Sequence, residues 1–230
     1  DYYMKDPGKA AMIQSLDESV GRVIAKLKAI GQLDQTLIIF TGDNGSQGDE
    51  FVVNFRGNKG TAYEGGTRVP LIVAGPQIKT GVSAVPTIGM DLYPTLLTYL
   101  GAPLKPEEHL DGVDITPLLT QTGTISARPL YWHYPHYDET TPYSSAIVDQ
   151  WKVIRYADDG KVELYDLDDD PMEQRDLAAT HPAKTTALLQ NLDDYLRAVD
   201  AQPALPNPDF DPQQFSGGIR DFRLLQNHGK

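Results

Sequence analysis

The chain has 230 residues, a formal net charge of −12 at pH 7 and no cysteine. This acidic balance argues against general nucleic-acid binding, which relies on basic surface to neutralise phosphates. No apolar run reaches the length that spans a membrane, and the lack of cysteine excludes disulfides, thiolate metal sites and cysteine nucleophiles.

The N-terminal part of the chain predicts one long helix and two strands. The helix is expected from Asp6 or Pro7 to about Gly31, because apolar residues repeat there at the spacing of one helical face. Thr36–Phe40 and Val69–Ala74 are continuous apolar runs, which are typical of strands covered on both faces in a parallel α/β sheet. We therefore expect this part to belong to a larger sheet.

The following segment predicts a helix and then a change of pattern. The stretch TIGMDLYPTLLTYLGAP favours a helix that begins near the N-cap candidate Asp91 and ends at Gly101. Farther on, the short apolar stretches PLYWHY, SSAIVD, WKVIRYA and VELYDL are separated by turn residues, a spacing that predicts a small antiparallel meander.

The C-terminal part predicts one more helix and a tail. Apolar residues recur on one face from about Ala183 to Val199, and the Pro-, Asn-, Gln- and Gly-rich composition after Ala201 indicates an extended tail. We expect an α/β part over 1–125, a small α+β domain over 126–200 and a tail over 201–230.

A candidate metal site lies where the first strand is predicted to end. Asp43 and Asn44 follow the apolar run at once, and carboxylate and carboxamide oxygens suit Ca²⁺ or Mg²⁺ better than zinc. The carboxyl end of a buried strand is also where open α/β sheets bind ligands. A plain loop or an Asn-Gly hairpin turn remains the alternative.

A cation follows in a flexible segment. Lys59 lies in the sequence Gly57-Asn58-Lys59-Gly60, where the backbone can approach a ligand closely. A lysine there can neutralise charge on a tetrahedral oxyanion. Arg68 follows in a second glycine-rich turn, and we interpret it as a structural partner of a carboxylate such as Glu64.

Two further stretches are candidates for ligand binding. His133 and His136 lie among aromatic residues in LYWHYPHY, and either could contact the organic part of a substrate or form a structural hydrogen bond. The stretch DLDDDP is similar to the start of a calcium loop. However, Pro171 and Leu177 stand where an EF-hand needs Gly and Glu, so we reject that reading.

Five stretches together resemble the second half of a formylglycine-dependent sulfatase of the arylsulfatase family. They are TLIIFTGDNG, RGNKGTAYEGGTRVPLIV, DLYPTLLTYLGAP, DGVDITPLL and ELYDLDDDPMEQRDLA, in that family's order and spacing. None of these short stretches would be specific alone, whereas their combination is. The resemblance implies part of an alkaline-phosphatase-like α/β sandwich, a small α+β domain with an antiparallel sheet and one helix, and a bound Ca²⁺.

The resemblance also implies roles for individual residues. Asp43 and Asn44 resemble the family's metal ligands, and Lys59 resembles the catalytic lysine that contacts the substrate sulfate. The family's nucleophile is a formylglycine made from Cys or Ser in a Cys/Ser-x-Pro/Ala-x-Arg motif. This chain has no Cys, and SARPL at Ser126 is one residue too short. We therefore expect a C-terminal fragment that is inactive alone and binds Ca²⁺ weakly or not at all.

The expected function is that of part of a sulfatase, with a metal-assisted formylglycine nucleophile supplied from outside this chain. The alternatives are a phosphonate or phosphate ester hydrolase of the same superfamily, or a non-catalytic binding module. The expected partners are a sulfated small molecule or glycan and either the missing N-terminal half or a second copy, with no nucleic acid or membrane. The resemblance implies a periplasmic, secreted or lysosomal location.

Overall fold

A computed structural model of the chain describes residues 7–46, 55–137 and 140–205. Within these residues the chain forms two compact units. The helical unit contains residues 7–41 and 70–127, and the sheet unit contains residues 42–69 and 128–205. These units divide the chain differently from the expected domains 1–125 and 126–200, because residues 42–69 group with the C-terminal part. The domain limits predicted from the sequence are not tested by this division and stay a prediction. Most of the predicted tail 201–230 lies outside the described residues.

The secondary structure follows the chain in this order: α1 Pro7–Ala29, β1 Ile38–Thr41, α2 Glu64–Thr67, β2 Leu71–Ala74, α3 Leu92–Tyr99, α4 Thr116–Thr120, β3 Leu130–Tyr134, β4 Tyr143–Val148, β5 Trp151–Tyr156, β6 Val162–Asp166 and α5 Pro182–Ala198. Short 3₁₀ turns precede β1 and α3. No helix in the described ranges is both long enough and apolar enough to cross a membrane.

The two strands of the helical unit pair with each other. β1 and β2 are antiparallel, with Ile38 opposite Ala74 and Thr41 opposite Leu71, although continuous apolar runs of this kind are typical of parallel sheets. The strands are also not covered on both faces within this unit, because the side chains of Phe40 and Ile72 are 36% and 59% exposed.

The sheet unit is built on a four-stranded antiparallel sheet in the order β3-β4-β5-β6, which confirms the predicted meander. Side chains alternate between the two faces of each strand. One face packs against α5 through Ala146, Val153 and Leu164, which meet Leu188 and Leu192 of the helix.

The opposite face of the sheet packs against residues 62 and 63 of the preceding loop. Ala62 and Tyr63 form a buried cluster with Ile154, Tyr156 and Tyr165. The sheet therefore lies between α5 on one side and the glycine-rich segment on the other, which brings the predicted site residues of that segment onto a rigid element.

Candidate active site

The candidate metal ligands Asp43 and Asn44 follow β1 in a short turn, and both side chains are exposed. The backbone N–H of Asn44 donates to Asp43 Oδ1 over 2.9 Å, and Asn44 Nδ2 donates to the carbonyl of Gly45 over 2.9 Å. Because the amide nitrogen of Asn44 is used in this way, its oxygen Oδ1 is the atom left to meet a cation. Carboxylate and amide oxygens are suitable ligands for a hard cation. Two of them supply only part of the roughly six to eight oxygen ligands that Ca²⁺ takes.

We use the name anion loop for residues 55–68, which carry Lys59. Two backbone hydrogen bonds join this loop to the Asp43–Asn44 turn, from Gly45 N to Gly66 O over 2.8 Å and from Lys59 N to Ser46 O over 2.9 Å. The contact is so close that a Cβ at Gly45 would lie 1.8 Å from the carbonyl oxygen of Gly65. Gly45 is therefore required for the two segments to meet.

Lys59 lies at the tip of a turn between two glycines. Gly57 and Gly60 have φ angles of +75° and +88°, a backbone region that residues with a Cβ rarely adopt. Thr61 Oγ1 donates to the carbonyl of Asn58 over 2.8 Å and closes the turn. The side chain of Lys59 is exposed and has no ion-pair partner among the residues that the structure describes. Its ammonium group is thus available to an anion.

A buried hydroxyl network holds the anion loop on the sheet. Tyr63 donates its hydroxyl to Glu163 Oε2 over 2.7 Å, and Tyr165 donates to the same oxygen over 3.0 Å. Burial raises the pKa of both tyrosines, so the hydroxyls stay protonated and remain donors. Lys161 pairs with the other carboxylate oxygen of Glu163 at 2.6 Å, and Tyr156 donates to the Tyr63 hydroxyl over 3.0 Å.

A second buried contact involves three charged residues. Lys152 Nζ lies 3.0 Å from Glu64 Oε1 and 2.9 Å from Glu173 Oε1, and the backbone N–H of Glu64 donates to Glu173 Oε2 over 2.7 Å. Burial raises the pKa of Glu173, and the nearby Lys152 ammonium opposes that shift. The first residue of α2 is thereby fixed to the strand β5.

The two arginines of the anion loop have structural partners. Arg56 donates to the Tyr165 hydroxyl over 2.8 Å and to the Glu173 carbonyl over 2.9 Å, and its guanidinium lies over the ring of Tyr63. Arg68 pairs with Glu64 at 3.4 Å, which is the contact suggested by the sequence.

The two histidines lie in different surroundings from Lys59. His133 lies on the α5 side of the sheet, where Nδ1 is 2.8 Å from Ser144 Oγ and Nε2 is 2.7 Å from the carbonyl of Gln202. Both ring nitrogens are thus used within the sheet unit, which favours a structural function for His133. His136 is exposed and packs edge-on against the ring of Tyr134, so its ring is accessible to solvent. A role for either residue in substrate binding stays a prediction.

The sequence did not single out the residues that hold the anion loop. Lys152, Glu163 and Glu173 contact loop residues that are 88 to 109 positions away in the chain. A signal was present, because Lys152 shares the alternating face of β5 with Ile154 and Tyr156. A charged residue in line with buried apolar residues indicates a buried charge with a partner.

Comparison with known proteins gives a consistent picture. Residues 7–102 match the family described as Sulfatase, and residues 57–202 match the family described as N-sulphoglucosamine sulphohydrolase, C-terminal. The chain is 32% identical over 203 residues to Arylsulfatase K of Danio rerio, covering 85% of this chain and 37% of the relative. It is 35% identical over 169 residues to the Choline-sulfatase of Rhizobium meliloti, covering 73% of this chain and 32% of the relative.

A solved structure shares the fold. The structure of BT4656 in complex with its substrate, D-glucosamine-2-N,6-O-disulfate, superposes with a TM-score of 0.68 at 26% identity, covering 85% of this chain and 41% of that chain. The present chain therefore spans well under half the length of the proteins that it matches.

Proposed function

The chain belongs to the sulfatase family, and on that premise we propose that it forms part of an enzyme that hydrolyses sulfate esters. The observation that carries the proposal is the pair of backbone hydrogen bonds between the Asp43–Asn44 turn and the anion loop. They join the backbone of Lys59, whose ammonium is exposed, to the turn of Asp43 and Asn44, whose side-chain oxygens we propose as cation ligands. An enzyme that transfers a charged group needs this combination of a cation and a fixed donor.

We assign Lys59 the role of a catalytic and substrate-binding residue. Its ammonium group would bind a sulfate oxygen and offset the negative charge that grows on the transferring group, which is electrostatic preorganisation. The formylglycine implied by the family resemblance is not among the residues of this chain. The contribution of this chain to the reaction is therefore binding and charge stabilisation, and the chain alone is expected to be inactive.

Membership of the family implies a metal cofactor, which we propose to be Ca²⁺. Asp43 and Asn44 would hold it, and the bound cation would supply charge stabilisation at the sulfate group. The described residues contain no cluster of three or more His, Cys, Asp or Glu side chains suited to a metal, so further ligands would come from elsewhere in the enzyme. Calorimetric titration of this chain should show weak binding or none, and tight stoichiometric binding would contradict the split site.

The substrate class that we propose is a sulfated small molecule or glycan. Support comes from the solved relative, which is described with a disulfated glucosamine as its substrate. His136 is the better of the two histidines for contact with the organic part, because its ring is exposed. The family resemblance further supports a periplasmic, secreted or lysosomal location.

We also propose that the exposed apolar surface of the helical unit is covered by the remaining part of the enzyme or, when that is missing, by a second copy of this chain. The unit exposes apolar side chains along α1 and on both of its strands, and apolar patches of that extent mark interaction surfaces. Protection of α1 from amide exchange only when a partner is present is the expected sign.

The role of Lys59 is tested in the full-length enzyme by Lys59→Ala. Turnover of an aryl sulfate and of a sulfated monosaccharide should fall by about a hundredfold or more, which is the usual cost of removing one charge-stabilising donor. Lys105→Ala is the matched control, because Lys105 is an exposed lysine that pairs only with its neighbour Glu108 among the described residues. Equal turnover in the two variants would show that Lys59 is not part of the active site.

A further inference from the structure

The buried ion pairs of Lys152 with Glu64 and Glu173 are expected to stabilise the core less than apolar side chains would. Lys152 has no exposed surface, and it faces two carboxylates with one ammonium group. Taking such charges out of water costs more than packing apolar side chains of the same volume in many proteins. The strands are already held together by their backbone hydrogen bonds. The contact is thus better explained by the geometry that it imposes than by the stability that it adds.

The contact fixes the residues on the C-terminal side of the Lys59 turn. Glu64 begins α2, and it is held through its side chain by Lys152 and through its backbone N–H by Glu173. The preceding residue, Tyr63, is held by Glu163 over 2.7 Å. Two consecutive residues of the anion loop are therefore fixed to the sheet by buried, charged hydrogen bonds, which are stronger than neutral ones.

The N-terminal side of the same turn is held by the same group of residues. Arg56 donates to the carbonyl of Glu173 and to the hydroxyl of Tyr165. Gly65 N donates to the carbonyl of Arg56 over 2.8 Å, which closes the loop on itself. Lys59 lies between these two fixed points, and the position of its backbone follows from them.

We infer that Lys152 is a positioning residue that acts through Glu64 and Glu173 to set where Lys59 meets the sulfate group. This inference rests on the proposed function of Lys59. Lys152 itself is buried beneath the loop and does not touch the substrate. Its removal would leave the buried Glu173 carboxylate without its cation, beside a Glu64 that keeps only its pair with Arg68. The repulsion between the two carboxylates would move the start of α2 and with it the turn of Lys59.

The test compares Lys152→Met with Arg155→Met in the full-length enzyme. Arg155 lies on the same strand, but it points to the other face and pairs with Asp193 of α5 at 2.6 Å. Lys152→Met removes two ion pairs of β5, with Glu64 and Glu173, whereas Arg155→Met removes one, with Asp193. Only Lys152→Met affects the anion loop. A misplacement of about 1 Å can cost up to about a hundredfold in rate, so kcat per folded molecule should fall at least about tenfold in Lys152→Met with a smaller change in KM. Arg155→Met should stay within about twofold of the unmodified enzyme, as surface changes away from a site do.

A rescue variant separates positioning from simple loss of packing. Adding Glu173→Gln to Lys152→Met removes the uncompensated charge of Glu173, keeps an acceptor for the Glu64 N–H, and leaves Glu64 paired with Arg68. Part of the lost kcat should return. If the double variant is as slow as Lys152→Met, or if Lys152→Met and Arg155→Met have equal kcat, the inference is wrong.

If Lys152→Met does not fold, Tyr63→Phe and Tyr131→Phe test whether contacts between the anion loop and the sheet affect kcat. Tyr63→Phe removes the hydroxyl that binds Glu163, and Tyr131→Phe removes a comparable hydroxyl that binds Asn191 on the α5 side. A lower kcat in Tyr63→Phe alone supports a loop positioned by the sheet, and equal kcat in the two overturns it.

Amide exchange of residues 55–68 distinguishes the failure of this inference from the failure of the proposed function. If the full-length protein has no sulfatase activity, the proposed function fails. Faster exchange of the loop in Lys152→Met but not in Arg155→Met would then still support positioning of the loop. Equal exchange in both variants would overturn it.

Discussion

The two units of the molecule differ in how completely they bury their apolar residues. In the sheet unit, the residues between the sheet and α5 are almost fully enclosed, and Val153, Leu164 and Leu192 have no exposed surface. In the helical unit, the 23-residue helix α1 has no buried residue at all. The difference indicates that the sheet unit supplies its own core, whereas the helical unit carries apolar surface that its own residues leave uncovered.

Both parts of the candidate site belong to the sheet unit. The anion loop is fixed to the sheet unit by buried groups, and the Asp43–Asn44 turn is joined to that loop by two backbone hydrogen bonds. We therefore expect the Lys59 turn to keep its shape in this chain alone. The metal site proposed at Asp43 and Asn44 would need additional ligands, so we expect it to form only in the full-length protein.

The largest expected effect comes from shortening one leucine in each unit. Leu192→Ala should lower the free energy of unfolding of this chain by about 2–5 kcal/mol, because it opens a cavity in a closed core. Leu16→Ala on α1 should change it by less than about 0.5 kcal/mol, since that side chain is 50% exposed. Urea unfolding followed by circular dichroism gives both values. A large loss for Leu16→Ala in this chain would show that α1 is buried, and the comparison would fail.

A smaller effect concerns the acid buried beneath the anion loop. The pKa of Glu173 is raised by burial above its ordinary value of 4.5. The folded chain therefore binds this proton more tightly than the unfolded chain. Stability from this residue is present below pH 4.5 and is lost as the pH rises from there through the pKa of the folded state. Glu173→Gln should remove this loss. The stability of the variant relative to the unmodified chain should therefore increase as the pH rises.

The measurement is the urea midpoint of Glu173→Gln and of the unmodified chain at several pH values on either side of 4.5. Asp193→Asn on α5 is the control, because Asp193 is an ion-paired acid on the other face of the sheet for which burial is far less complete. A difference between Glu173→Gln and the unmodified chain that does not vary with pH would contradict the expected contribution of Glu173.

The fold was predictable from the sequence where local periodicity decides the structure. The helical repeat gave α1 and α5 to within a few residues, and the short apolar stretches gave the four strands of the meander. The direction of β1 and β2 was not predictable, because a continuous apolar run such as Thr36–Phe40 indicates burial and carries no information about the neighbouring strand. The tertiary partners of that run decide its direction.

The candidate site was predictable only in part, for a similar reason. Asp43, Asn44 and Lys59 stand in short stretches whose residue types indicate their chemistry. The supporting residues Lys152 and Glu173 do not, because their contacts join positions about ninety to a hundred apart. Such pairs arise from the packing of the anion loop on the sheet. The alternation of β5 could indicate that Lys152 is buried, but no local pattern indicates which residues it contacts.

The most direct test of the difference between the two units is amide hydrogen exchange of this chain alone and within the full-length enzyme. The account predicts that β4, β5 and α5 are protected equally in both, because the sheet unit closes its own core. It predicts that α1 and β2 are protected strongly only in the full-length enzyme, where their apolar faces are covered. Equal and strong protection of α1 in this chain as a dilute monomer would contradict the account, since the helical unit would then need no partner.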